Sequence, residues 1–129
     1  VLAPANVPTN LICGFLEGRQ EALVGPDAEC YVRQFRFPIL FLTTTGIRPN
    51  QGLACVTAVQ ANLKRALIES SDKVILLTEI GKFSIDSIRI FADFSLIDTV
   101  IVDEPLNNPA MEETLRENHV ELIISGEEA

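Results

Sequence analysis

Continuous apolar runs alternate along this chain with stretches in which apolar positions recur every three or four residues. The runs are Ile39-Leu40-Phe41-Leu42, Val74-Ile75-Leu76-Leu77, Thr99-Val100-Ile101-Val102 and Val120 to Ile124. Such runs suit strands buried on both faces of a parallel sheet. Between them lie helical patterns. After Gly25, Pro26 takes a first helical position, Asp27 and Glu29 sit near the positive end of the dipole, and Ala28, Tyr31, Val32 and Phe35 share one face. Phe37-Pro38 stops this helix. Thr57 is placed to cap a second helix with Val59, Leu63, Ala66, Leu67 and Ser70 as its inward stripe, while Gln60 and Lys64 share another face. Asn108-Pro109 opens a third helix, which buries Met111 and Leu115.

The remaining segments are less regular. Leu11 to Phe15 and Glu21 to Val24 predict two short strands around a turn at Gly18. Ile47 to Leu53, with Pro49 and Gly52, reads as a loop, and Phe83 to Phe94 alternates weakly enough to be strand or short helix. Strands separated by helices predict an α/β fold with a mostly parallel sheet and helices on both faces. In that arrangement the polar residues following each strand, Thr43 to Gly46, Glu79 to Lys82, Asp103-Glu104 and Ser125-Gly126, collect on one edge. That edge is where open α/β sheets bind ligands.

Length and charge narrow the picture. The 129 residues, 47% hydrophobic, suffice for one domain with a real core, so a single domain over 1–129 is expected. The net charge of −8 argues against nucleic-acid binding by this domain itself, because phosphate-backbone recognition needs clustered Lys and Arg. Cys13, Cys30 and Cys55 lie far apart with His119 as the one histidine, which gives neither a zinc spacing nor a disulfide framework. They read as reduced, buried thiols, and with no apolar run near the ~20 residues of a membrane span the expectation is a cytoplasmic protein without a membrane partner. The opening Val1 to Pro8 has no clear period, which predicts a piece of a longer protein.

Several segments carry a further signal when taken in order: the Gly25 turn, the Phe41 strand ending in Thr43-Thr44-Thr45-Gly46-Ile47, Gly52-Leu53, the helix Lys64-Arg65-Ala66-Leu67-Ile68-Glu69, the strand leading to Lys82-Phe83, and Ile97-Asp98-Thr99-Val100-Ile101-Val102-Asp103. Together they resemble the carboxy-terminal sensor domain of the DeoR family of bacterial transcription repressors. The resemblance implies a fold similar to ribose-5-phosphate isomerase and CoA transferase-like domains. It also implies binding of a phosphorylated sugar or sugar alcohol as effector, assembly as a homo-oligomer, and contact with DNA only through an amino-terminal helix-turn-helix domain. No cofactor is implied. The family's first strand, with its Gly-Thr-Thr phosphate loop and following helix, is expected upstream of Val1. The chain also departs from the pattern. Arg48 stands where relatives carry Asp, Pro38 replaces another Asp, Glu79 replaces the Asp before the loop lysine, Gln60 replaces a helix Glu, and Cys13-Gly14 replaces a Gly pair.

The expected ligand-binding residues are Thr43, Thr44, Thr45, Gly46, Lys82, Gln60 and Lys64. Lys82 offers a mobile positive charge suited to phosphate, and the threonine loop offers hydroxyls and backbone N–H groups. Each has a plainer description: a loop lysine, and a threonine-rich strand end. Gln60 fits a capping box in which its side chain bonds the Thr57 N–H, and Lys64 and Arg48 fit solvated surface positions. Asp103-Glu104 reads as a solvated acidic loop, and His119 as structural on the opposite edge.

Two other functions compete with an effector module. A sugar-phosphate isomerase-like enzyme needs a general base beside the substrate carbon. Gln60 cannot take up a proton at working pH, which argues against it, though Glu79 is an acid nearby. A purely oligomeric role would use the apolar residues Ile85, Ile88, Ile90 and Phe91 as an interface.

Overall fold

The computed structural model describes residues 4–18, 22–85 and 89–126. A hairpin of β1 (Phe15–Glu17) and β2 (Ala22–Val24) leads into α1 (Pro26–Val32) and β3 (Phe37–Leu42). A second hairpin, β4 (Gly46–Arg48) and β5 (Gly52–Cys55), precedes α2 (Ala58–Glu69) and β6 (Ser71–Thr78). A 3-10 turn over Ile80–Ser84, β7 (Arg89–Ala92) and a short 3-10 turn at Phe94–Leu96 follow, and then β8 (Thr99–Val102), α3 (Pro109–Glu117) and β9 (Glu121–Ile124) complete the chain.

The four apolar runs form one parallel sheet in the order β3-β6-β8-β9, flanked by helices, in agreement with the α/β expectation. The capping signals are also where the pattern put them. Thr57 Oγ1 accepts from the Gln60 N–H, Asn108 Oδ1 accepts from the Met111 N–H, and Pro26 and Pro109 occupy the first helical turns. Met111 and Leu115 are fully buried.

Strand register decides which residues make the core. Leu42 pairs with Leu76, Leu76 with Val100, and Val102 with Ile124, so these side chains point to one face. They pack with Ala61 and Ile68 of α2 and Met111 and Leu115 of α3 in the main core. Burying each such aliphatic side chain contributes about 1.5–3 kcal/mol. A smaller core joins Val24, Ala28 and Val32 to Leu63 and Ala66, so α2 is packed on two sides.

Several expectations are corrected by this packing. Ile39 and Phe41 are 49% and 61% exposed, because they point to the sheet face opposite the main core, a face that Leu77 and Ile123 share; the Ile39–Leu42 run is half-buried, not buried. Phe35 is exposed because α1 ends at Val32, before it can reach the core face. Val59 is exposed while Gln60, Ala61 and Ile68 are buried, since α2 meets partners on two sides instead of along one stripe. Ile47 to Leu53 is a hairpin, tightened by the Gln51 N–H to Arg48 O bond at 3.0 Å. The first strand lies at Phe15–Glu17 instead of Leu11–Phe15, where register with β2 pairs Phe15 with Val24; Glu21 lies outside the described residues. Both alternatives for Phe83 to Phe94 occur in turn, as 3-10 turns and as β7. Phe91 is buried, not an interface residue, because β7 packs on α2, where Arg65 donates to Ile90 O (2.8 Å) and Phe91 O (3.2 Å). Ile88 lies outside the described residues. Cys55 is buried, whereas Cys13 and Cys30 are exposed on the hairpin approach and the outer side of α1.

Among the described residues no helix is long and apolar enough to cross a membrane, and no group of His, Cys, Asp and Glu side chains could hold a metal ion.

Candidate functional site

Because all four core strands run in parallel, the segments after β3, β6, β8 and β9 emerge on the same edge of the sheet. The threonine loop leaves β3 and crosses to β4, while the turn bearing Lys82 leaves β6 beside it. Their close approach depends on Gly46. A Cβ at that position would lie 2.4 Å from the Ile85 carbonyl oxygen, so only glycine lets β4 meet the end of the Lys82 turn.

A cavity of about 440 Å³ opens between this edge, α2 and the β1–β2 hairpin. Thr43, Thr44, Thr45, Gln60, Lys64 and Lys82 all line it, with Leu40, Leu42, Leu63 and Leu67 as apolar wall and Ala22 and Val24 from the hairpin. A second cavity of about 410 Å³ adjoins it and shares Thr43, Thr44 and Lys82, adding Thr78 and Glu79. Six of the seven expected residues therefore surround one space, and Gly46 stands next to them at the start of β4.

The side chains are held in distinct ways. The buried Thr44 hydroxyl lies 2.8 Å from Ala54 O and 3.0 Å from Gly46 O, so its proton is used to shape the loop. Thr43 and Thr45 keep greater exposure. Lys64 is no ordinary surface lysine. Its Nζ donates to Thr43 O at 2.5 Å and lies 5.1 Å from the centre of the Phe91 ring. Burial pushes its pKa below the ordinary lysine range, with the Cys55 thiol acting in the opposite sense. Burial likewise raises the Cys55 thiol, against the pull of Lys64, Arg65 and Arg89, so this cysteine is a poor nucleophile.

Gln60 departs from the capping-box expectation. Its backbone N–H is the one that binds Thr57 Oγ1 (3.3 Å), while its side-chain Nε2 donates to Glu17 Oε2 at 2.8 Å. The bond from the amide to the Glu17 carboxylate is charge-assisted and so stronger than the neutral bond a capping box would give. Asp103 is the other correction. Its Oδ1 accepts the Ile80 N–H at 2.7 Å, so it fastens the start of the Lys82 turn instead of standing free in solvent. The pairing of Thr78 with Val102 explains this, since it sets Asp103 level with the turn that follows β6. An acid just past a strand was visible in the sequence; its neighbour was not. Glu17 had no sequence signal at all, because a three-residue strand beside a turn carries no period. His119 precedes β9 on the opposite edge and takes a left-handed conformation (φ 57°) just past the end of α3.

Comparison with known proteins identifies the family. The family model described as the DeoR C terminal sensor domain matches residues 1–104. The chain is 34% identical to the HTH-type transcriptional regulator GlpR of Haloferax volcanii over 78% of its own length and 39% of that protein. It is 31% identical to a putative aga operon transcriptional repressor of Escherichia coli, over 88% of this chain and 42% of the relative. With the glycerol-3-phosphate regulon repressor of Escherichia coli it shares 28% identity, over 84% and 43%. The chain thus spans about two-fifths of the length of the curated relatives it matches, and those relatives are transcriptional regulators. By the extent of the family match and the order of its elements, this chain belongs to the DeoR C-terminal sensor domains.

Proposed function

We propose that this domain is the effector-binding module of a cytoplasmic transcriptional regulator of carbohydrate metabolism, and that its effector is a phosphorylated sugar or sugar alcohol. One observation carries the reading: Lys82, Lys64 and the threonine loop converge on a single polar-lined cavity at the carboxyl edge of a parallel sheet. A lysine ammonium and loop hydroxyls suit a phosphate, and the adjoining amide and apolar wall suit a short polyol. The names of the relatives, which include a glycerol-3-phosphate regulon repressor, point to the same class of ligand.

Binding without turnover is part of the proposal. The lining of the larger cavity includes neither carboxylate nor histidine, and the Lys64 ammonium is occupied by Thr43 O and the Phe91 ring, which leaves the larger cavity without an evident general base. DNA contact would pass through a separate amino-terminal domain, consistent with the net charge of −8 here. Self-association belongs to the same reading. The sheet face carrying Ile39, Phe41, Leu77 and Ile123, each 38–61% exposed, supports it, and sedimentation of the isolated domain tests it.

The decisive experiment is a thermal-shift panel of sugar phosphates against the protein and its Lys82→Ala variant. A ligand bound only by the native state raises the melting temperature in proportion to its affinity. Stabilisation that the Lys82 variant loses is the expected result. No shift with any phosphosugar, or turnover of ribose 5-phosphate, would overturn the reading.

A further inference from the structure

The two cavities differ in the charge of their walls. Thr43, Thr44 and Lys82 line both of them, so these residues mark the junction. Beyond the junction the larger cavity adds Lys64 as its one further charged residue, so every charge on that side is a lysine. The smaller cavity adds Leu77, Thr78 and Glu79 instead, and Glu79 brings a carboxylate to its wall. Backbone bonds fix where this residue stands. Glu79 O accepts the Lys82 N–H at 3.0 Å, and the bond from Ile80 N–H to Asp103 holds the next residue. The Glu79 side chain is left unused by the fold: it does not cap the turn that follows, and among the described residues its carboxylate makes no hydrogen bond or ion pair.

We infer that the effector lies across the junction, with its phosphate on the lysine side and its hydroxyl-bearing chain in the smaller cavity against Glu79, so that the site selects hexose monophosphates over bisphosphates. This rests on the sensor reading above and deepens it. A phosphate is favoured where the wall carries only ammonium groups. An ionised carboxylate accepts hydrogen bonds and donates none, so sugar hydroxyls, which donate, are the partners it suits. A second phosphate in the same place presents acceptor oxygens and a like charge; it forfeits those bonds and meets repulsion. Glu79 is exposed, so solvent screens that repulsion and keeps it modest. With about 440 and 410 Å³ on the two sides, the space suits a six-carbon body better than a three-carbon one.

The plainer role for Glu79 is that of a solvated turn residue. The Glu79→Gln substitution separates the two, because the bonds Glu79 makes among the described residues run through its backbone and only the charge is removed. Calorimetric titration of the full chain with fructose 6-phosphate and glucose 6-phosphate, each beside its 1,6-bisphosphate, gives a discrimination ratio. Wild type is expected to favour the monophosphates, and Glu79→Gln to lower that ratio about fivefold, the upper range for a solvated charge pair. Bisphosphates bound as tightly by wild type, or a ratio that Glu79→Gln leaves unchanged, overturn this inference alone. So does a panel in which shorter sugar phosphates bind and no hexose monophosphate does. If no member of the sugar-phosphate panel binds wild type, the sensor reading falls and takes this inference with it.

Discussion

Substituting Gly46 by alanine puts the geometry of the site to a quantitative test. The added Cβ would stand 2.4 Å from the Ile85 carbonyl oxygen, 3.2 Å from its carbon and 3.4 Å from its Cβ. With a close carbon–oxygen contact at about 3.3 Å, the two segments must separate by about 0.9 Å. The opposing atom is backbone, so no rotamer change relieves it. Gly46 is not among the glycines at positive φ, so the whole effect is steric and no left-handed strain is added. Overpacking of this kind costs about 1–3 kcal/mol. For a loss of about 2 kcal/mol and a urea m-value of about 1.5 kcal/mol/M, the unfolding midpoint falls by about 1.3 M. Gly81, in the same turn, is the control: a Cβ there meets nothing within 4 Å, and Gly81→Ala should stay within about 0.5 kcal/mol of wild type. Urea unfolding followed by circular dichroism measures both. The reasoning is refuted if Gly46→Ala unfolds with wild type, or if Gly81→Ala loses as much.

Further outcomes follow from the same contacts. Asp103→Ala removes the acceptor of the Ile80 N–H and should lower stability by about 0.5–2 kcal/mol, as loss of a helix cap does, while weakening sugar-phosphate binding through a looser Lys82 turn; titration giving wild-type affinity would argue against that coupling. Lys64 has a folded pKa depressed below the ordinary 10.5, so between the two values the unfolded chain holds more protons. Wild-type stability relative to Lys64→Met should therefore rise as pH climbs toward 10.5, and urea titrations showing a falling difference would contradict the burial of this ammonium. In native protein a chromogenic disulfide reagent should modify Cys13 and Cys30 quickly and Cys55 only after unfolding, because the first two are exposed and the third is buried with a raised pKa. Rapid labelling of all three thiols would show that the second hairpin opens.

The strand-end residues were legible in the sequence because each follows an apolar run, and a parallel arrangement forces such positions onto one edge. That put Thr43 to Thr45 and Lys82 on the same edge, and Gly46 lets the two segments approach closely. The same holds for the caps at Thr57 and Asn108, whose hydrogen bonds span three residues and are local by nature. What the periodicity of α2 could not give was the number of its partners. A helix packed on two sides buries Gln60 and Ala61 while exposing Val59, whereas a single-stripe reading turns Val59 inward and places Gln60 off the core face.

The sequence by itself determined the α/β class, the four parallel strands, the helix starts and the family. These depend on patterns within a dozen or so residues, or on their order along the chain. Only the tertiary structure decided that β3 is an edge strand with Ile39 and Phe41 outside the core, and that Lys64 is held against Phe91. It alone joined Gln60 to Glu17, 43 residues away, and Asp103 to Ile80, 23 residues away. Those bonds form between elements brought together by packing, and no local propensity encodes which polar group a distant strand will deliver.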